Sequence, residues 1–185
     1  MLLKEFQLVG GGLFAAGLNN SHSGNLSVRA GKKIIITRRG SMLGHLTEKD
    51  LIETDLLKDG PEHNLVSREI GVHRAVYLHT SAQALVHAHP IFATALSLVE
   101  DEIEPIDAEG KYYLKKVPVL TVRETIGSAE VAEKLPLLLQ ENKIVVVKGH
   151  GTFAGGKTLE EAYQWTTSLE NACKILYYTR TLRAR

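Results

Sequence analysis

Apolar and polar positions change their spacing repeatedly along the chain, and each change marks an element. Residues 3–18 read as an amphipathic helix, loosened by Gly10, Gly11 and Gly12. Asn19–Gly24 is a polar loop. Asn25–Ala30 and Lys33–Thr37 read as strands joined by a turn at Gly31, a hairpin pattern. Thr47 caps a short turn over 48–50, and Leu51–Asp55 is a third strand. Ser67 reads as the cap of a helix over Glu69–His79. The run Ala84–His89 is a strand that Pro90 stops, because proline removes a backbone donor. Ile91–Leu98 is helical, and 100–116 is charged and irregular. Val117–Val122 is a strand, and Ser128 caps a helix through Leu139. Lys143–Val147 is a strand rich in β-branched residues. Gly151–Ala154 is a further short strand ending in a turn at Gly155-Gly156. Thr158-Leu159-Glu160-Glu161 is a capping box opening the last helix. Its apolar face is Ala162, Trp165, Leu169, Ala172, Cys173 and Leu176, three and four apart.

Strands come first as a hairpin and then interleave with helices. That order predicts an α/β fold with a mixed, largely antiparallel sheet covered by helices on both faces. It is not a clean βαβ repeat, and Gly10-Gly11-Gly12 follows no strand, so a dinucleotide fold is disfavoured. With no internal repeat and no linker, residues 1–185 are expected to form one domain.

Composition narrows the function classes. The 185 residues are 44% hydrophobic and 23% charged, ordinary for a soluble globular chain. A formal net charge of +1 gives no broad field for nucleic acid or an anionic membrane. The single cysteine, Cys173, excludes an internal disulfide and a zinc ribbon. No export or anchor pattern is present, which favours the cytoplasm.

The chemistry concentrates in three places. In His87-Ala88-His89, residues i and i+2 leave a strand on the same side, so the two imidazoles make either half of a metal site or a solvated strand-end pair. His150, between Gly149 and Gly151 at the end of an apolar strand, is either a third ligand or a turn histidine at the surface. Ser67-Arg68-Glu69 opens a helix, where Glu69 either favours the helix dipole or serves as a general base near a metal. His73, four residues on, is a lesser ligand candidate. Ser23-Gly24-Asn25 and Thr37-Arg38-Arg39-Gly40-Ser41 offer glycines and polar donors suited to an anionic group. Of the two adjacent arginines, Arg38 is expected to point into solvent.

Together the segments Gly24–Arg29, Thr37-x-x-Gly40, Ser67-x-Glu69, His87-Ala88-His89 and Gly149-His150-Gly151 resemble the class II aldolase/adducin family, in order and rough spacing, from about residue 3 to 181. The resemblance implies a three-layer α/β/α domain and a homotetramer with its sites at subunit interfaces. It implies a divalent cation, commonly Zn2+ with Mn2+ or Co2+ as alternatives, on His87, His89 and His150. Glu69 falls on the catalytic acid/base, and Asn25, Gly40 and Ser67 fall on phosphate-binding positions. The implied reaction is aldol cleavage of a sugar phosphate such as fuculose 1-phosphate, through a metal-stabilised enediolate, to dihydroxyacetone phosphate and an aldehyde.

Two departures bear on the substrate. Arg39 stands where the family often has a small hydroxyl residue, and Arg68 where it often has a second serine. These guanidiniums strengthen a phosphate grip, read a carboxylate, or fill the pocket. Tyr112 or Tyr113 is a candidate for an acid/base that relatives often carry on a tail, supplied across a subunit interface. Alternative expectations on the same residues are a dehydratase, an epimerase, a decarboxylase, or a non-catalytic adducin-like assembly protein.

Overall fold

A computed structural model describes residues 2–184. Eight strands form one sheet in the order β3-β2-β1-β4-β8-β7-β6-β5. They are β1 (Asn25–Ala30), β2 (Lys33–Thr37), β3 (Leu51–Asp55), β4 (Ala84–Ala88), β5 (Glu102–Ile103), β6 (Val117–Leu120), β7 (Ile144–Val147) and β8 (Gly151–Gly156). Only β6 and β7 run parallel; every other neighbouring pair is antiparallel. The mixed, largely antiparallel sheet is the expected one.

Helices cover both faces. α1 (Leu2–Ala15), α3 (Ile91–Ser97) and α6 (Leu159–Arg183) share one core with Leu26, Val86 and Val146. α2 (Ile70–His79) and α5 (Ala129–Leu139) share the other with Leu85, Val145 and Phe153. Alternate residues of β4 feed the two cores, so its Ala-Leu-Val-His-Ala run is buried throughout. The predicted face of α6 is buried at all six positions.

Four local expectations are corrected. The segment 100–116 contains β5 and a short helix, α4 (Ala108–Tyr113), whose cap Asp107 accepts the Gly110 N–H. Strand β8 continues through Gly155 and Gly156, which pair with Leu85 and Ala84. A side chain at Gly156 would press on the Ala162 backbone at 2.9 Å, so glycine here admits α6 rather than making a turn. In the Thr158 box, the Glu161 carboxylate accepts the Lys157 N–H, one residue before the cap. Two of the three α1 glycines are also contact points, since a Cβ at Gly10 would collide with the Leu43 carbonyl and one at Gly12 with the Tyr163 hydroxyl.

The topology gathers one end of the central strands. The start of β1, the ends of β2, β4 and β7, and the start of β8 lie together, as the pairs Asn25↔His87 and Val147↔Gly151 show. The three candidate metal ligands, Glu69 and the candidate phosphate-binding residues fall at this end.

Candidate active site

His87 leaves β4 toward the α2/α5 face, and His89 follows with the same parity just beyond the strand. The His89 backbone N–H is pinned by the Leu18 carbonyl and by Asn19 Oδ1 at 2.9 Å. His150 sits in the tight turn from β7 to β8, its N–H on the Val147 carbonyl. Antiparallel β4–β8 pairing brings that turn beside the histidine pair. One ring nitrogen from each of the three residues lies within 4.8 Å of the others. His87 Nε2 and His89 Nε2 are 3.0 Å apart.

The surroundings fix the rings and keep them neutral. His87 Nδ1 lies 2.9 Å from the Thr152 carbonyl, which can only accept, so Nδ1 carries the proton and Nε2 presents a lone pair. Phe153 stacks on His87 at 4.1 Å and 14°. Burial, reinforced by the two neighbouring imidazoles, holds His87 well below the usual histidine range. Burial, then His150, lowers His89 to about 4. Burial also lowers His150, with the Thr125 backbone pulling weakly the other way; its Nδ1 makes no hydrogen bond. Three uncharged nitrogen donors converge with no carboxylate among them, and two lone-pair positions 3.0 Å apart need a proton or a cation between them. This donor set fits a borderline-soft divalent cation.

Glu69 is 3% exposed and opens the same cleft. It is the N-cap residue of α2 and makes no side-chain cap bond to its own helix. The predicted cap Ser67 lies two residues earlier, where its Oγ accepts the Glu69 N–H at 3.2 Å. Glu69 Oε1 accepts the Gly127 N–H at 2.9 Å, while Oε2 is buried with no partner. Burial raises its pKa to about 7 against the pull of the Gly127 bond. A carboxyl there can both release and take up a proton near neutrality.

The cleft over these groups is about 280 Å³. Asn25, Gly40, Ser67, Arg39 and Arg68 all line it. Asn25 Oδ1 is buried without a partner. Arg38 is exposed yet lines the cleft too, so neither arginine of the pair is turned wholly away.

Two candidates lie outside. His73 is fully buried on α2, with Nδ1 on Ser27 Oγ at 2.6 Å, and that hydroxyl also meets the Tyr77 hydroxyl. It is a core histidine one layer behind the site, kept neutral by burial with its pKa near 3. Tyr112 and Tyr113 sit beside Lys143, at the far end of β7 from His150. At roughly 3.3 Å per residue that is more than about 13 Å away, so neither serves the site of its own chain.

The sequence reading missed Gly127 and the Thr152 carbonyl, because each acts through backbone. Gly127 has φ +58, and a Cβ there would lie 2.6 Å from the Arg68 carbonyl. Its position just before the Ser128 cap was the available signal.

Comparison with known proteins places this geometry. The family model described as Class II Aldolase and Adducin N-terminal domain matches residues 5–177. An L-fuculose phosphate aldolase of Methanocaldococcus jannaschii is 34% identical over 157 residues, 82% of each chain. The crystal structure of L-fuculose-1-phosphate aldolase from Thermus thermophilus superposes with a TM-score of 0.95 at 41% identity, covering 99% of this chain and 96% of that one. A 3-oxo-tetronate 4-phosphate decarboxylase of Pectobacterium atrosepticum is 28% identical over 180 residues, 94% of this chain and 82% of the relative.

Proposed function

This chain belongs to the class II aldolase and adducin family and is a lyase of its aldolase kind, and from that premise we propose that it cleaves a ketose 1-phosphate of the fuculose 1-phosphate type into dihydroxyacetone phosphate and an aldehyde. The observation that carries the reading is the spare Oε2 of Glu69, buried in one cleft with three neutral imidazoles.

His87, His89 and His150 hold the divalent cation, with zinc the best match to an all-nitrogen set. When bound, it supplies Lewis acidity that polarises the substrate carbonyl. The protein's own groups do the rest. Thr152 and Phe153 keep His87 in one tautomer and one plane. Asn25, Gly40 and Ser67, with Arg39 and Arg68, bind the phosphate and hold the reacting carbons beside Glu69. Cleavage requires loss of the hydroxyl proton on the carbon that becomes the aldehyde. The electron pair of the broken C–C bond finally takes a proton on carbon. Glu69 moves protons at Oε2, and the Gly127 N–H keeps Oε1 out of that exchange.

A second reading keeps the histidines and changes the bond broken. Arg39 and Arg68 suit a carboxylate as well as a phosphate, and a decarboxylase is among the relatives. An assembly role without chemistry is disfavoured because all three nitrogen donors and Glu69 are in place. The working form we propose is a cytoplasmic homotetramer of single-domain subunits. In support, the exposed residues Ile91, Val99, Tyr177 and Tyr178 leave an apolar groove on α3 and α6 next to the His89–Pro90 turn. No helix among the described residues is long and apolar enough to cross a membrane.

The test is a screen of ketose 1-phosphates and phosphorylated 3-oxo acids, followed by NMR with and without chelator. Chelator-sensitive appearance of dihydroxyacetone phosphate is expected. Carbon dioxide release, dehydration or epimerisation in its place would reject the aldolase.

A further inference from the structure

The Gly24–Arg29 segment holds more than Asn25. Asn25, Ser27 and Arg29 alternate along one face of β1, the face that looks toward α2. Opposite them, Glu69, His73 and Tyr77 recur every fourth residue and form one stripe of α2. The two rows match in length. Four residues of strand cover about 13 Å, and eight residues of helix about 12 Å. Polar bonds join them. At the far end, Arg29 Nη1 donates to the Tyr77 carbonyl at 2.7 Å. In the middle, Ser27 Oγ lies 2.6 Å from both His73 Nδ1 and the Tyr77 hydroxyl. At the near end, Asn25 and Glu69 both line the cleft.

His73 is an expensive residue for this place. It is fully buried, and its Nε2 has no partner. A phenylalanine or leucine would fill the space without stranding a polar atom. What the imidazole adds is direction, because among the described residues its one side-chain hydrogen bond fixes it to Ser27 of the sheet. The ring stands edge-on to Phe153, at 6.3 Å and 73°, and Phe153 is the ring stacked on His87. The His73 backbone N–H bonds the Glu69 carbonyl at 3.0 Å, closing the first turn of α2. His73 thus meets the turn that carries Glu69 and the ring that backs His87. Arg74 also ties α2 to the sheet, but at the edge strand β3, whereas Ser27 stands on the neighbour of β4 itself.

We propose that His73 is a positioning residue: locked to β1 by Ser27, it sets where the start of α2, and with it the Glu69 carboxylate, stands relative to His87. The inference deepens the proposed function and rests on Glu69 as the proton carrier.

Three variants separate positioning from packing. Ser27→Ala removes a single oxygen and leaves every apolar contact in place, so it folds. His73→Phe keeps a ring but not the bond. His73→Asn keeps an amide where Nδ1 stands and can still meet Ser27. The first readout needs neither metal nor turnover. The Glu69 carboxyl is titrated by NMR in metal-free protein with 13C-labelled glutamate, its resonance assigned by Glu69→Gln. The wild-type midpoint is expected near 7. Ser27→Ala and His73→Phe should lower it by about one pH unit or more, because a loosened turn lets water reach a carboxyl that burial holds up. His73→Asn should bring it back. In the metal-loaded enzyme, kcat should fall about 10²-fold in the first two variants and largely recover in His73→Asn. KM should change by less than about threefold, because the anion-binding loops are anchored separately by the Arg38–Val66 bridge. A merely structural His73 would lower the unfolding temperature and leave the Glu69 midpoint and kcat at wild-type values, which would overturn the proposal. An unmoved midpoint overturns it whatever kcat does. A midpoint that moves as expected, in a wild type that cleaves no ketose 1-phosphate, would sink the assigned reaction and uphold the positioning.

Discussion

Two helices start at the same end of the sheet, and each has a buried glutamate at its start. At α3 the carboxylate comes from outside, as Glu170 of α6. It accepts the N–H groups of Phe92 and Ala93, and Lys174 stands 4.0 Å away. At α2 the carboxylate is the cap residue's own, Glu69, which accepts one N–H and leaves an oxygen over. Burial raises both pKa values. Glu170 has both oxygens engaged and serves the fold, anchoring the helix that follows His89-Pro90. Glu69 is under-satisfied, and a buried polar atom without a partner costs stability that the fold itself does not recover. Satisfaction of hydrogen bonds separates two groups that burial alone would class together.

The comparison breaks most sharply under isosteric substitution. Glu69→Gln keeps an acceptor for Gly127 but cannot move a proton. We expect kcat to fall by about 10²–10⁴-fold with metal content unchanged, measured by steady-state kinetics and elemental analysis. Loss of metal instead would make Glu69 a ligand.

The same substitution should stabilise the metal-free protein. The folded carboxyl titrates near 7 and the unfolded one near 4.5. Folding therefore opposes ionisation, and the penalty grows from pH 4.5 to 7 and stays constant above. Urea unfolding at pH 8 should show Glu69→Gln more stable by up to about 3 kcal/mol, a gain that vanishes toward pH 4.5.

Glu170 should behave in the opposite sense. Glu170→Ala strands one buried and one half-buried N–H group and should cost about 2 kcal/mol in the same assay. Glu170→Gln, which preserves an acceptor, should cost about 1 kcal/mol or less, with kcat changed little. If Glu170→Gln lowers kcat as far as Glu69→Gln does, the division between the two carboxylates is wrong.

Much of this was legible in the chain, for identifiable reasons. Parity along a strand put His87 and His89 on one side, and the apolar run before Gly149 put His150 at a strand end. The pattern stopped where contacts are made by backbone or across the fold. Gly127 meets Glu69 58 residues away through an amide that no side-chain pattern reports. Gly155-Gly156 reads as a turn because glycine is usually a breaker, yet here it admits a helix. The 100–116 segment hid α4 because its one marker, Asp107 ahead of Gly110, lies among other charges. Arg38 was assigned to solvent by the alternation of a strand, but the chain turns at that residue. Ser67 looked like a cap because its hydroxyl does accept a nearby N–H, although the helix begins beyond Glu69.

The bridge between Arg38 and Val66 has a consequence for how a ligand is met. Two turns that would otherwise wander separately are riveted during folding, so the entropy of ordering them is spent before any encounter. Recognition in the cleft that Arg39 and Arg68 line then needs only the arginine tips to settle. A substitution such as Val66→Gly, which touches no ligand, would be felt first as slackened grip rather than as slower chemistry.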